Sequence, residues 1–132
     1  MNVGRTTSAF RRAVPVASMA LKQALKEIIA KRIAIEKLAA DRTRLEQRVN
    51  ELEHEQARVR TNVGSIPYVT SNDPFTAQNR KLAGDLLERY LTQLTAVEND
   101  LERARSQLVD ARKVERDASR ELSDFLRELT VE

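Results

Sequence analysis

The chain has 132 residues, a third of them charged and 4% aromatic, and it contains no cysteine. This length suits one domain, the missing cysteine excludes disulfides and thiol chemistry, and no apolar run reaches the roughly 18 residues of a membrane span. The net charge of +3 arises in residues 1–16, which hold three arginines and no acid, so the remainder is neutral. A neutral, aromatic-poor body is typical of long paired helices and argues against a dedicated nucleic-acid groove.

The first 14 residues lack hydrophobic periodicity and predict a basic, flexible tail. The apolar stretch that follows, 13–21, is short, is interrupted by Pro15 and Ser18, and runs directly into an amphipathic pattern. We therefore predict no export signal and take the cytoplasm as the default compartment. Pro15 suits the first turn of a helix, and the sequence predicts a helix over 15–63.

Apolar residues at alternating spacings of three and four predict that this helix is one half of a coiled coil. These seam positions, a and d of a heptad, are Ala17, Leu21, Ala24, Ile28, Lys31, Ile35, Leu38, Arg42, Leu45, Val49, Leu52, Gln56, Val59 and Val63. Gly64 and Pro67 are typical helix-ending residues, and we predict a loop over 64–73.

A second helix is predicted over 74–130, because Asp73 suits the N-cap position and Pro74 the first helical position. Its seam has one polar member, Glu115. The seam positions are Leu87, Tyr90, Leu94, Val97, Leu101, Ala104, Leu108, Ala111, Glu115, Ala118, Leu122, Phe125 and Leu129. The small residues at d favour a close pair of helices.

Two long helices joined by a short loop predict an all-α fold, a long antiparallel two-helix coiled-coil hairpin spanning 15–131. We favour this over helices that pair between chains. In such a hairpin the residue numbers of two seam residues that face each other, one on each helix, add up to a constant. We call this constant the seam sum, and we predict that it is either 139 or 146. We favour 146 because it pairs Lys31 with Glu115 and Gln56 with Tyr90, and burying a charge without a partner costs several kcal/mol. These four residues are the predicted register-setting residues.

A second apolar stripe lies outside the seam and forms a candidate docking surface. Its members are Met19, Leu25, Ile29, Ile33, Val114 and Leu126. Because two helices cannot cover all of these side chains, we predict contact with another protein domain or with a second copy of the chain. Contact with the N-terminal tail or a neighbouring domain is the structural alternative.

Basic residues near the predicted loop suggest an alternative function, a helical arm that binds nucleic acid through its tip and basic tail. These residues are Arg58, Arg60, Arg80, Lys81 and Arg89. Acidic residues are interspersed among them, which is typical of a solvated, salt-bridged helix face. Nucleic acid is therefore the less favoured partner.

Groups with chemistry of their own are scarce. His54 lies among Glu51, Glu53 and Glu55, but these neighbours do not share one helix face, so no metal site is predicted. No phosphate-binding glycine loop, paired-carboxylate cleft or nucleophile motif occurs. We predict no catalytic residue, no cofactor and no enzyme activity, and hence a non-catalytic scaffold or protein-interaction module.

Two stretches, EQARVRTNVGSIP (55–67) and LLERYLTQLTAVENDLE (86–102), resemble the helical hairpin near the C-terminus of the mucoidy-inhibitor-like family of uncharacterised bacterial proteins. The matching residues are Glu55, Gln56, Arg58, Arg60, Asn62 and Pro67, then Arg89, Tyr90, Leu91, Leu94, Glu98, Leu101 and Glu102. The resemblance covers about half of the chain and implies that Asn62 and Pro67 shape the hairpin tip, with Tyr90 packed beneath it. The family's preceding β-rich domain has no counterpart here, so the resemblance implies the hairpin alone.

Overall fold

The computed structural model describes the backbone of residues 3–66 and 74–131 and the side chains of residues 18–66 and 78–130. These residues form two helices, α1 (Val3–Gly64) and α2 (Pro74–Val131), with no strand in the described ranges. The predicted all-α helical hairpin is confirmed.

The helix ends agree with the prediction except at the start of α1. Helix α1 ends at Gly64, where the Ser65 amide donates to the Thr61 carbonyl at 3.0 Å, and α2 begins at Pro74. The prediction that α1 starts at Pro15, after a tail over residues 1–14, is wrong, because α1 already begins at Val3. Pro15 therefore lies inside the helix, where its missing amide N–H leaves the Arg11 carbonyl without its usual intrahelical donor. Residues 67–73 of the predicted loop lie outside the described residues.

The chain divides into two units, each built from one segment of either helix. The central unit is Asp41–Arg112, and the terminal unit comprises the described residues of 1–40 and 113–132.

The central unit contains a continuous hydrophobic core. Its buried side chains are Val49, Leu52, Val97, Leu101, Ala104 and Leu108, and Val59 is buried outside this cluster; all seven are predicted seam positions. Leu52 and Leu101 are each only 2% exposed, and Leu45 packs against the cluster from its edge. Burying a leucine side chain contributes about 1.5–3 kcal/mol, so this cluster is the main stabilising contact of the unit.

The terminal unit follows the same periodicity, but none of its described side chains is fully buried. Its half-buried positions include Ala24, Ile28, Lys31, Ile35, Leu38, Glu115, Ala118, Leu122 and Phe125, all in the predicted seam. Leu21 and Leu129 are exposed although they lie in the predicted seam. The heptad pattern therefore continues here around a thinner interior.

Three ion pairs between the helices define the register of the central unit. Arg60 pairs with Glu98 at 3.3 Å, Arg105 with Glu53 at 3.1 Å and Arg112 with Glu46 at 3.4 Å. The residue numbers of every pair sum to 158, as an antiparallel pair without slippage requires. Each member follows a d residue of its own helix and occupies position e, beside the seam.

Both predicted registers are wrong. With a seam sum of 146, Arg105 would lie twelve residues, about 18 Å along the axis, from the level of Glu53, and a sum of 139 would separate them further. A sum of 160 would set Val59 opposite Leu101, yet Val59 lies outside the cluster that contains Leu101. We infer a seam sum of 153, which sets Leu52 opposite Leu101 and aligns the most apolar stretches of both helices.

Candidate docking surface

All six residues of the predicted docking surface belong to the terminal unit and are exposed. The exposed fractions are Met19 71%, Leu25 49%, Ile29 57%, Ile33 47%, Val114 49% and Leu126 36%. The two helices of the unit thus leave these side chains uncovered, as a docking surface requires. Their docking role itself stays a prediction.

The heptad positions assign these residues to sides of the terminal unit. In an antiparallel pair the e positions of both helices lie along one side of the seam and the g positions along the other. Position b extends the e side, c extends the g side, and f points away from the partner helix. Leu25, Ile29 and Leu126 occupy the e and b positions, and Met19 and Ile33 occupy f, whereas Val114 lies at g.

The charges of the terminal unit are segregated in the same way, which sequence reasoning missed. We call the e and b positions the basic face, since they hold three cations and one anion among the described residues. The charged residues of the basic face are Lys22, Arg32, Arg116 and Glu36, whereas Lys26, Lys113, Arg120 and Arg127 lie at the outward f positions. Arg127 pairs there with Asp124 at 3.9 Å. We call the g and c positions the acidic face, which holds Glu27, Asp117, Glu121, Asp124, Glu128 and one cation, Lys37. Sorting charges by heptad position would have found this pattern.

The predicted register-setting residues do not meet in the predicted pairs. With a seam sum of 153, Lys31 is level with Leu122, not Glu115, and Gln56 is level with Val97, not Tyr90. The Lys31 ammonium lies 5.3 Å from the centroid of the Phe125 ring, an attractive cation–π arrangement. This contact also contradicts a sum of 146, which would place Phe125 ten residues, about 15 Å, beyond the level of Lys31. All four predicted register-setting residues are half-buried.

The ion pairs at e were missed because the prediction considered only seam residues. Glu46 accepts hydrogen bonds from Arg42 on its own helix at 3.1 Å and from Arg112 on α2 at 3.4 Å. These hydrogen bonds, with that from Arg42 the larger contribution, lower the pKa of Glu46 below its ordinary value, although partial desolvation opposes them. The signal was present in the sequence as opposite charges recurring at e.

The basic residues of the nucleic-acid alternative are partly engaged with carboxylates. Arg60 pairs with Glu98, and Arg58 lies 3.9 Å from Glu55. Arg80 also has an interaction partner. All five basic residues are exposed to solvent. The acidic neighbours thus offset part of the positive charge that a phosphate backbone would meet.

His54 is exposed, and no group of three or more metal-ligating side chains occurs among the described residues. Within the same residues, neither helix contains a stretch long and apolar enough to cross a membrane. Comparison with protein-family models, with curated proteins and with solved structures finds no match to this chain. The resemblance to the mucoidy-inhibitor-like family stays a prediction.

Proposed function

We propose that this chain is a non-catalytic protein-interaction module that docks a partner on the terminal unit. The observation that supports this proposal is the exposure of Leu25, Ile29 and Ile33, which are 47–57% exposed on consecutive turns of one helix. Exposed apolar patches of this kind mark interaction sites more often than isolated exposed residues do. The partner is either another protein or a second copy of the chain.

The energetics favour a helical partner. Burying a fully exposed Leu or Ile side chain contributes about 1.5–3 kcal/mol to the free energy of binding. Because the side chains of the stripe are about half exposed, a partner that covers them would gain a substantial part of this energy. Because the side chains recur every four residues, a partner helix lying along α1 would contact all of them. Such helix-in-groove contacts use regularly spaced apolar anchors.

The resemblance noted in the sequence is compatible with this role. We propose that the hairpin corresponds to the helical arm of mucoidy-inhibitor-like proteins, an element that would extend a docking surface from another domain. This assignment adds nothing about catalysis, and the docking proposal does not depend on it.

The test is in-cell cross-linking of the full chain through its lysines, followed by mass spectrometry. The variant Leu25→Ser, Ile29→Ser, Ile33→Ser removes the stripe, and Leu82→Ser with Leu91→Ser is the matched control. Both control leucines are exposed, at 61% and 46%, but belong to the central unit. We expect cross-links from Lys22 and Lys26 to a partner polypeptide in the wild type and the control, and their loss in the stripe variant.

Circular dichroism establishes that each variant keeps its helix content. Cross-links that persist unchanged in a folded stripe variant would refute docking at this surface. If nuclease digestion of a cell lysate before cross-linking prevents the cross-links, the nucleic-acid alternative replaces the protein-docking proposal.

A further inference from the structure

We propose that copies of this chain associate face to back, with the basic face of one terminal unit packed on the acidic face of the next. This inference rests on the proposed function and names its partner. The two faces lie on opposite sides of one unit and carry net charges of +2 and −4 among the described residues. Because the two faces carry opposite charges, the acidic face of a second copy can cover the basic face of the first.

Charge excludes the simpler symmetric arrangement. A two-fold dimer through the basic face would set three cations against the same three cations, with only Glu36 on each side to offset them. Like charges placed opposite each other across an interface cost several kcal/mol. Stacking the basic face on the acidic face instead brings Lys22, Arg32 and Arg116 toward carboxylates.

The side chains on the two faces also differ in size in a complementary way. Leu25, Ile29 and Leu126 project from the basic face and are 49%, 57% and 36% exposed. On the acidic face, the α1 segment presents the small residues Ala20, Ala30 and Ala34, all exposed. Small residues allow a partner helix to approach closely, so large side chains from one copy can pack between them.

A face-to-back contact is heterologous and does not close on itself by two-fold symmetry. Each added copy presents the same free basic or acidic face to the next. The assembly should therefore grow with protein concentration and not stop at two copies. It should also weaken with salt, because exposed charges contribute to it.

Two charge-reversed variants test the arrangement. The first, Lys22→Glu, Arg32→Glu, Arg116→Glu, makes both faces acidic. The second, Asp117→Lys, Glu121→Lys, Glu128→Lys, makes both faces basic. A control with the same change in net charge as the second variant, Asp85→Lys, Glu88→Lys, Glu102→Lys, alters exposed residues of the central unit.

Light scattering after size-exclusion chromatography measures the mass of each protein, alone and mixed. At about 0.1 M salt we expect the wild type and the control to exceed the monomer mass by more than about twofold, rising with concentration. Raising the salt to about 1 M, where the Debye length shrinks to about 3 Å, should return them toward the monomer. Each charge-reversed variant should be monomeric alone, and an equal mixture of the two should assemble again.

A wild-type chain that stays monomeric at low salt overturns this inference. If its stripe-dependent cross-links to a different polypeptide persist, the proposed docking function stands without self-association. A mass that stops at the dimer, with neither charge-reversed variant affected, also overturns it and indicates a symmetric interface. Co-sedimentation of a monomeric wild type with phosphatidylglycerol vesicles would instead assign the basic face to an anionic lipid surface.

Discussion

The central and terminal units share one heptad pattern but differ in what it buries. In the central unit the seam buries large apolar residues, and Leu52 and Leu101 are each 2% exposed. Leu82 and Leu91 of this unit lie outside the seam and are exposed. In the terminal unit the seam includes Lys31 and Glu115, while Ile29 and Ile33 lie outside it and stay exposed. The spacing of apolar residues thus determines which helix faces pair, whereas large side chains outside the seam stay exposed.

The largest expected effect compares equivalent seam leucines in the two units. Leu52→Ala should lower the free energy of unfolding by about 3 kcal/mol, because it leaves a cavity in the buried core. Leu38→Ala removes the same atoms at the same heptad position of the terminal unit, where Leu38 is half-buried, and should cost about 1 kcal/mol. Urea denaturation followed by circular dichroism measures both values. Equal losses would show that the terminal seam is as well covered in solution as the central one.

Replacing the charged seam residue of the terminal unit should make the two units more alike. Lys31→Leu loses the cation–π contact with Phe125 but removes a half-buried charge, so we expect a net stabilisation of about 1 kcal/mol. Lys37→Leu, an exposed position on the same helix, should give no such gain. Thermal unfolding of both variants measures the change in stability. If Lys31→Leu is destabilised, the contact of the Lys31 ammonium with Phe125 contributes more than burying a leucine in the seam.

The smallest expected effect concerns the ion pairs beside the central seam. Because the pKa of Glu46 is lower in the folded chain, its ionised form stabilises the fold above its unfolded pKa. That stabilisation is lost as the pH falls through the lower, folded pKa. Glu46→Gln should therefore lower the melting temperature slightly at neutral pH and leave it unchanged once the wild-type carboxylate is protonated. Glu102→Gln, on an exposed residue, is the control. If it lowers the melting temperature as much as Glu46→Gln does, with the same pH dependence, the effect does not come from the arginine contacts of Glu46.

The seam was predictable because burial of apolar residues on one helix face repeats at a fixed spacing, from Ala24 to Val59 on α1 and from Tyr90 to Phe125 on α2. The register was not predictable from this spacing, since sliding one helix along the other by seven residues again brings seam positions opposite seam positions. Its choice depended on charges at e, such as Glu53 and Arg105, which lie outside the seam. The start of α1 was also missed, because a helix can include Pro15 at the expense of one hydrogen bond.

The order of charges beside the central seam has a consequence for how the hairpin forms. Along α1 the e positions read negative, negative, positive at Glu46, Glu53 and Arg60, and their partners on α2 carry the opposite signs. A slip of one heptad in one direction would set Glu53 against Glu98, and a slip in the other would set Arg60 against Arg105, and either slip would leave one opposite-charge pair in place of three. Either misaligned hairpin would retain an apolar seam, so these like-charge contacts discriminate against folding traps that hydrophobic burial alone would tolerate.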